Sequence, residues 1–511
     1  MTRVELGVRS AIPFQVDDLY FLTCVARAVS ATELPIAGCH DNKGPIIYAA
    51  YQAVIDRSAP YSMPPIKGLG VALSVALAAA CGLVAGIARN LRSGLFASGF
   101  VLLLFIASPT FMAPKTELLG LLFLLPALTL LWHSANTSNR SSALFSGVLF
   151  CFSVLSNQKF LFAGLAFGVL VLSMSANWRP KFRQHAIQTF LFAFVGGCLA
   201  LAAVAVWFAV SGRLYEFLLS VFFYPTVYGG KPNADSLITR LAWRIGTIAT
   251  ALKPMALFVA VAVIGLARSL VLWPKRPASE VERLPLEVPI ALSALGYLAI
   301  VLASPVLFQY HFFPILILAS VLVGTTTDRI LVGTGDELQK LRGGVWLVAA
   351  VLVAIFSAEY WYGADAKGDR GKEYFAYEPV NSRPGQYAYV VGAWPAFFVF
   401  NGLLPASEVM YPNALPGARA SWAYLPPAAD SLKGKLLSRV QQRNDEQLVK
   451  DFRKTPPSYV FVEDAAGRQP GAVEASNFAS INAFISAHCV LDRRVSNNPL
   501  HIGNLYSCHV L

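Results

Sequence analysis

Charge is scarce in this sequence. Asp, Glu, Lys and Arg make up only 14% of its 511 residues, against about 25% in an average soluble domain. A chain so poor in ionised groups is not an ordinary cytosolic enzyme. It has no run of Lys and Arg dense enough to follow a nucleic-acid backbone, so no nucleic-acid partner is expected. There is no internal repeat and no low-complexity tract, and composition also excludes disorder and collagen. Seven cysteines in a chain of this length do not make a small disulfide scaffold.

Apolar side chains fill the space that charge leaves. Hydrophobic residues reach 56% and the mean hydropathy is +0.54. They fall in blocks of about twenty, the length of a helix that crosses a bilayer core. Apolar runs lie near 68–88, 94–112, 117–133, 143–156, 160–176, 187–211, 254–273, 287–304, 306–324 and 344–360. The expected fold is therefore an α-helical polytopic membrane protein with about ten spans. The runs at 117–133 and 143–156 are short and predict tilt or longer helices than the hydropathy shows.

The net charge of +12 is distributed in a way that orients these spans. Arg89 and Arg92, Arg140, the Arg179–Lys181–Arg183 group, the Lys275–Arg276–Arg283 group and the Arg329–Lys340–Arg342 group all fall on one side if every run crosses. Cationic loops face the cytoplasm. Residues 1–67, 113–116, 157–159, 212–253, the turn at Ser304–Pro305 and everything after 361 are then outside. The N-terminus is placed outside with no span before it, which predicts that a first span is missing. The expected localisation is a multi-pass protein of the cell inner membrane.

Residues 361–511 differ in texture: polar, turn-rich, with helix and strand patterns alternating. Strands are expected at Tyr387–Val391, Tyr459–Val462, Cys489–Arg494 and Leu505–Val510, and helices at Ser431–Phe452 and Val473–Ala487. The expected organisation is an N-terminal segment and first outer loop (1–67), a transmembrane domain (68–360) and an extracytoplasmic α/β domain (361–511). Cys24 with Cys39, and Cys489 with Cys508, are candidate disulfides if both regions face an oxidising compartment, while Cys81, Cys151 and Cys198 sit inside apolar runs.

Six short polar groups break the apolar pattern. Asp17-Asp18-Leu19-Tyr20 pairs two carboxylates, which suits a base whose neighbour tunes it; an Asp before an apolar stretch also serves as a helix N-cap. His40-Asp41-Asn42-Lys43-Gly44-Pro45 sets a lysine beside a turn, where it can meet an anionic headgroup or simply stay solvated. Pro114-Lys115-Thr116-Glu117 puts a carboxylate at the mouth of a span, either as a site residue or as a partner of the helix dipole. Asn157-Gln158-Lys159 is a tight turn whose lysine can snorkel. Gln309-Tyr310-His311 opens a late span, and a lone His there is more often structural than catalytic. Loop 212–253 carries Tyr228-Gly229-Gly230-Lys231-Pro232, Arg240 and Arg244, which form either a shaped binding loop or a plain connection. All six lie on the outer side of a topology derived without them. Carboxylates and cations around one outer cavity suit deprotonation of a hydroxyl and stabilisation of a phosphate leaving group.

The order of Asp17-Asp18-Leu19-Tyr20, Asp41-Asn42-Lys43-Gly44-Pro45, Thr116-Glu117-Leu118-Leu119 and Lys159 resembles the GT-C glycosyltransferases. The branch it is most similar to holds protein mannosyltransferases, lipid A aminoarabinose transferases and Rgt-type sugar transferases. Tyr310-His311-Phe312-Phe313-Pro314 resembles that family's late Tyr-Phe-Leu-Pro entry, and Val391-Gly392-Ala393-Trp394-Pro395 resembles the opening of its outer domain. Three positions depart from its pattern: Gly44 for the first Pro of Lys-Pro-Pro, Glu117 for Asp, and His311 near a usual Arg. The resemblance implies inverting transfer of a sugar from a polyprenyl-phosphate donor to a hydroxyl of an envelope glycan, lipid or protein. It implies Asp17 as general base, Asp18 in support, Glu117 as the second acid, and Lys43, Lys159 and His311 on the donor phosphate. No cofactor is certain; a divalent cation is the open one. The competing expectation is a transporter or flippase for a lipid-linked glycan, which calls for ionisable residues in mid-span. The span middles here are nearly free of charge, while the candidate acids gather at the rim.

Overall fold

A computed structural model describes residues 16–31, 43–107, 113–164, 168, 180–225, 263, 285–303, 309–332, 380–383, 385–392, 395–410, 415–416, 427–463, 478–495 and 502–509. Contacts divide the chain into two compact units. The first takes in Lys67–Trp207 and Ser236–Ala364; the second takes in Phe14–Ile66, Phe208–Asp235 and Asp365–Leu511.

In chain order, the second unit opens with α1 (Val16–Ser30) and α2 (Pro45–Gln52). The long apolar helices then follow: α3 (Met63–Ala88), α4 (Leu91–Ala107), α5 (Thr116–Thr137), α6 (Arg140–Ser156) and α7 (Pro180–Val210). Next are α8 (Leu214–Leu218), continued by a π-helical turn at Leu219–Phe223, then α9 (Glu287–Ala303) and α10 (Phe313–Val332). Among the described residues, three helices are long and apolar enough to cross a membrane by length and composition: Met63–Ala88, Thr116–Thr137 and Gln184–Val210. Shorter apolar helices accompany them, and the chain is a helical membrane protein. The expected runs at 254–273 and 344–360, and most of 160–176, lie outside the described residues.

Local chemistry explains where these helices begin and end. α5 and α6 form a hairpin turned by Ser138 in the left-handed region (φ 61°) and by Asn139, whose side chain accepts from the Ser142 N–H. These caps extend both helices beyond their short hydropathy signals. The run expected at 306–324 is displaced. Gln309–Phe312 forms a 3₁₀ turn, and α10 runs from Phe313 to Val332. Pro314 belongs in a first helical turn, and the far end is prolonged because Asp328 is paired, with Arg89 and with Asn90 Nδ2 at 2.9 Å. Close by in sequence, Arg329 pairs with Glu287 at 2.6 Å. At the opposite ends of the same two helices, Phe105 packs on Phe313 across α4 and α10 (ring centroids 5.1 Å), making that pair antiparallel.

Small residues let the helices approach. A methyl on Gly147 of α6 would lie 1.8 Å from the Ala193 carbonyl of α7, and one on Gly196 would lie 2.1 Å from the Leu144 carbonyl. With no gain from excluding water in a bilayer, such backbone contact is how helices gain packing energy. Ser146 and Ser153 add interhelical hydrogen bonds to the Ala127 and Gly120 carbonyls, each 2.8 Å.

The second unit carries a mixed sheet. Its elements are β1 (Tyr387–Val391), α11 (Ala396–Asn401), β2 (Leu404–Pro405), α12 (Leu432–Lys454), β3 (Tyr459–Glu463), α13 (Ala479–His488), β4 (Cys489–Val495) and β5 (Gly503–Cys508). The order is β2-β1-β3-β5-β4, parallel through β3 and antiparallel beyond. The expected strands and both expected helices are present, the second helix over Ala479–His488; α11 and β2 are additions too short to read from periodicity. Tyr389, Val391, Val460, Val462, Leu448, Phe452 and Ile481 form the core. Ser431 caps α12, accepting from the Gly434 N–H. Cys489 and Cys508 face each other in register and are disulfide-bonded. Cys24 is also oxidised, and Cys39 lies outside the described residues.

Candidate active site

The first unit presents a buried carboxylate at a helix mouth. α5 starts at Thr116 after an extended Lys115 whose side chain offers no cap, so Glu117 stands in the first turn, where the helix dipole favours negative charge. Glu117 is only 3% exposed. Its Oε2 accepts from Thr116 Oγ1 at 2.9 Å and its Oε1 from Asn157 Nδ2 at 3.0 Å. Asn157 closes α6, and its Oδ1 in turn accepts from the Lys159 N–H at 3.1 Å. The turn expected from Asn157-Gln158-Lys159 therefore serves the Glu117 carboxylate directly.

Aromatic rings wall this cluster. Gly120, one turn below Glu117, leaves room for the Phe160 ring; a methyl there would lie 2.1 Å from a ring carbon. Phe160 packs on Tyr297 of α9 with centroids 5.0 Å apart. Tyr297 is fully buried, and its hydroxyl has no hydrogen-bond partner among the described residues. Sequence reasoning missed Tyr297; its signal was a phenol tip within the apolar run 287–304. Lys115 and His311 are buried in the same unit, and Lys159 is half-buried. A buried carboxylate ringed by polar donors can hold and orient a hydroxyl-bearing group.

The second unit holds the remaining candidates. Asp17 and Asp18 lie in the first turn of α1, inside the helix and not at its cap, which corrects the N-cap alternative. α1 is buried along almost its whole length, from Leu19 to Val29. Phe21 meets Tyr48 and Tyr51 of α2 edge-on, at 5.7 and 5.8 Å. Arg27 pairs with Asp451 of α12 at 3.6 Å. Asp451 Oδ2 also accepts from Ser407 Oγ (2.7 Å) and the Glu408 N–H (3.1 Å), and Glu408 pairs with Arg213 at 3.2 Å. Lys43 is half-buried, ahead of Gly44 and of Pro45, which occupies the first position of α2.

The structure thus brings Glu117 together with Thr116 and Asn157, with Tyr297 packed on Phe160 in the same unit, and it divides the expected residues into Glu117, Lys159 and His311 in one unit and Asp17, Asp18 and Lys43 in the other. Residues 226–253 of the long outer loop, including Arg240 and Arg244, lie outside the described residues, as do His40 and Asp41. Among the described residues no three His, Cys, Asp or Glu side chains gather to hold a metal ion.

The described residues form a helical membrane unit and a unit built on a small mixed sheet. A solved structure of similar fold is ArnT from Cupriavidus metallidurans bound to undecaprenyl phosphate, with a TM-score of 0.54 and 9% identity over 97% of this chain and 94% of that one. The GT-C resemblance read from the motifs is thereby borne out as a fold. The archaeal oligosaccharyltransferase AglB from Archaeoglobus fulgidus, in complex with an inhibitory peptide and a dolichol-phosphate, also matches, with a TM-score of 0.45 and 13% identity over 88% of this chain. The chain spans 65% of AglB's length. No protein-family model and no curated protein matches the sequence.

Proposed function

We propose that this chain is an integral-membrane glycosyltransferase that moves a sugar from a polyprenyl-phosphate donor to a hydroxyl of an envelope glycan, lipid or protein, with inversion. The observation that carries this reading is the fold shared with ArnT along nearly the whole of both chains, ArnT being bound to undecaprenyl phosphate. Because fold alone does not set function, the buried Glu117 cluster is the second support.

In this reading the acceptor hydroxyl loses its proton to Asp17 as its oxygen attacks the anomeric carbon. The bond from that carbon to the donor phosphate breaks, and the polyprenyl phosphate leaves with the electron pair. Asp18 supports the base. Glu117, fixed by Thr116 and Asn157, orients a sugar or acceptor hydroxyl. Lys43, Lys159 and His311 neutralise the phosphate as it departs. The catalytic side is the extracytoplasmic face of the inner membrane, where the lipid carrier delivers the sugar.

The test is complementation with a glycan readout. A deletion strain should lose one sugar from an envelope glycan while its polyprenyl-linked donor persists. Wild type should restore the sugar and Asp17→Asn should not, at matched expression. Full restoration by Asp17→Asn would remove Asp17 from the mechanism.

A further inference from the structure

Outside the proposed site, one surface combines cations with uncovered apolar side chains. α12 buries Leu437, Val440, Asn444 and Leu448 and turns the other way Leu432, Lys435, Leu436, Arg439 and Arg443, all exposed. These positions repeat at helical spacing, so they form one stripe. From Ser431 to Asn444 the helix has four cations and no acid. A solvated helix face needs the cations but not Leu432 at 76% exposed or Leu436 at 40%.

The neighbouring element says what lies against this stripe. α7 is a candidate span that ends at Val210, and α8 begins at Leu214. Four residues reach at most about 14 Å, so α8 stays near the membrane surface. α8 and its π-helical turn expose Leu218 and Phe222, one helical turn apart. α12 is fastened to this element. The Arg443 guanidinium lies 3.6 Å from the Tyr215 ring centroid, Asn444 Nδ2 donates to Tyr224 Oη at 3.1 Å, and Val440 packs on Leu219 and Tyr224. The basic stripe of α12 is therefore tied to a segment that chain connectivity keeps at the bilayer.

We propose that α8, the π-helical turn and the first half of α12 form a docking surface for the anionic phospholipids of the membrane that α7 crosses. Leu218, Phe222, Leu432 and Leu436 enter the boundary between headgroups and acyl chains, while Lys435 and Arg439 meet the phosphates. Apolar side chains flanked by cations bind an anionic interface in this way. The inference does not depend on glycosyl transfer.

Photo-crosslinking of the full-length protein in nanodiscs tests it. A benzophenone side chain is placed at Leu436, or at Val206 in the α7 span as a reference. The discs are phosphatidylcholine alone or mixed with phosphatidylglycerol. Lipid adducts should form at both positions, and the yield at Leu436 should rise at least about fivefold with phosphatidylglycerol, the worth of one cation at an anionic leaflet. The rise should vanish in Lys435→Glu/Arg439→Glu, whose Val206 adduct reports that it still inserts. In the wild-type chain it should shrink at about 0.5 M salt, where screening acts over a few ångströms. The proposal is overturned if Leu436 gives no lipid adduct while Val206 does, if its yield ignores lipid charge, or if it crosslinks to a second protein chain.

Discussion

Glu117 shows how much a single side chain needs its neighbours. A carboxylate 3% exposed at a helix mouth is tolerated because the helix start, Thr116 and Asn157 all favour its charge. Asn157→Leu removes the one donor that, among the described residues, reaches it from the end of another helix. It should cost about 1–3 kcal/mol, read as a lower unfolding midpoint in detergent. Tyr297→Phe should move the midpoint the other way, since it deletes a buried hydroxyl that has no partner among the described residues. Glu117→Gln keeps the size and most of the hydrogen bonding, so the fold should survive it. If the carboxylate orients substrate, sugar transfer should fall at least about tenfold, the effect of losing roughly 1.4 kcal/mol of transition-state stabilisation. Transfer that tracks stability across the three variants would make the cluster structural.

At the scale of elements, α1 depends on α12. Arg27 and Asp451 are both largely buried, and Asp451 also receives Ser407, Glu408 and Gln447. Arg27→Met leaves that carboxylate with its hydrogen bonds but without its countercharge. Breaking a buried pair from one side costs about 3–5 kcal/mol, and Arg27→Met/Asp451→Leu should cost less than the two single changes together. Denaturant unfolding of the four proteins measures the coupling. The β4–β5 edge is held differently, by the Cys489–Cys508 bridge between residues 19 apart in sequence. Replacing both cysteines with serine should lower stability by about 3 kcal/mol.

At the scale of the molecule, alkaline pH should destabilise the second unit. Burial holds the Tyr61 and Tyr389 phenols well above the ordinary tyrosine range, with Asp445 and Asp451 adding to the shift at Tyr389. Both stay protonated in the fold, whereas in the unfolded chain they ionise near about pH 10. The stability they support is thus fully present below about pH 10 and declines as the pH rises above it. Denaturation midpoints from pH 8 to 11.5 should show that decline. Tyr61→Phe and Tyr389→Phe should each flatten it, and a pH-independent midpoint would contradict the sign.

Much of this architecture is legible in the chain itself. Hydropathy over about twenty residues marks helices that need only lipid around them, and short aromatic and β-branched runs mark Tyr387–Val391 and Tyr459–Val462 as strands, buried over most of their length. Both are local properties. Glu117 could be suspected for the same reason, since a carboxylate at the edge of an apolar run has few places to go. Local pattern does not carry the rest. That Glu117 is served by Asn157 depends on α5 and α6 folding back on each other, 40 residues apart. Tyr297 joins them from a third helix, and nothing in its own run distinguishes it from a core aromatic. The start of α10 at Phe313 is set by a 3₁₀ turn, and Asp328 in its last turns is paired with a distant arginine. The grouping of α1 with Arg213 and the C-terminal sheet depends on buried charges that must find one another across the chain. Composition and periodicity choose which surfaces are apolar; which of those surfaces meet is decided only when the tertiary structure pairs each buried polar group with its partner.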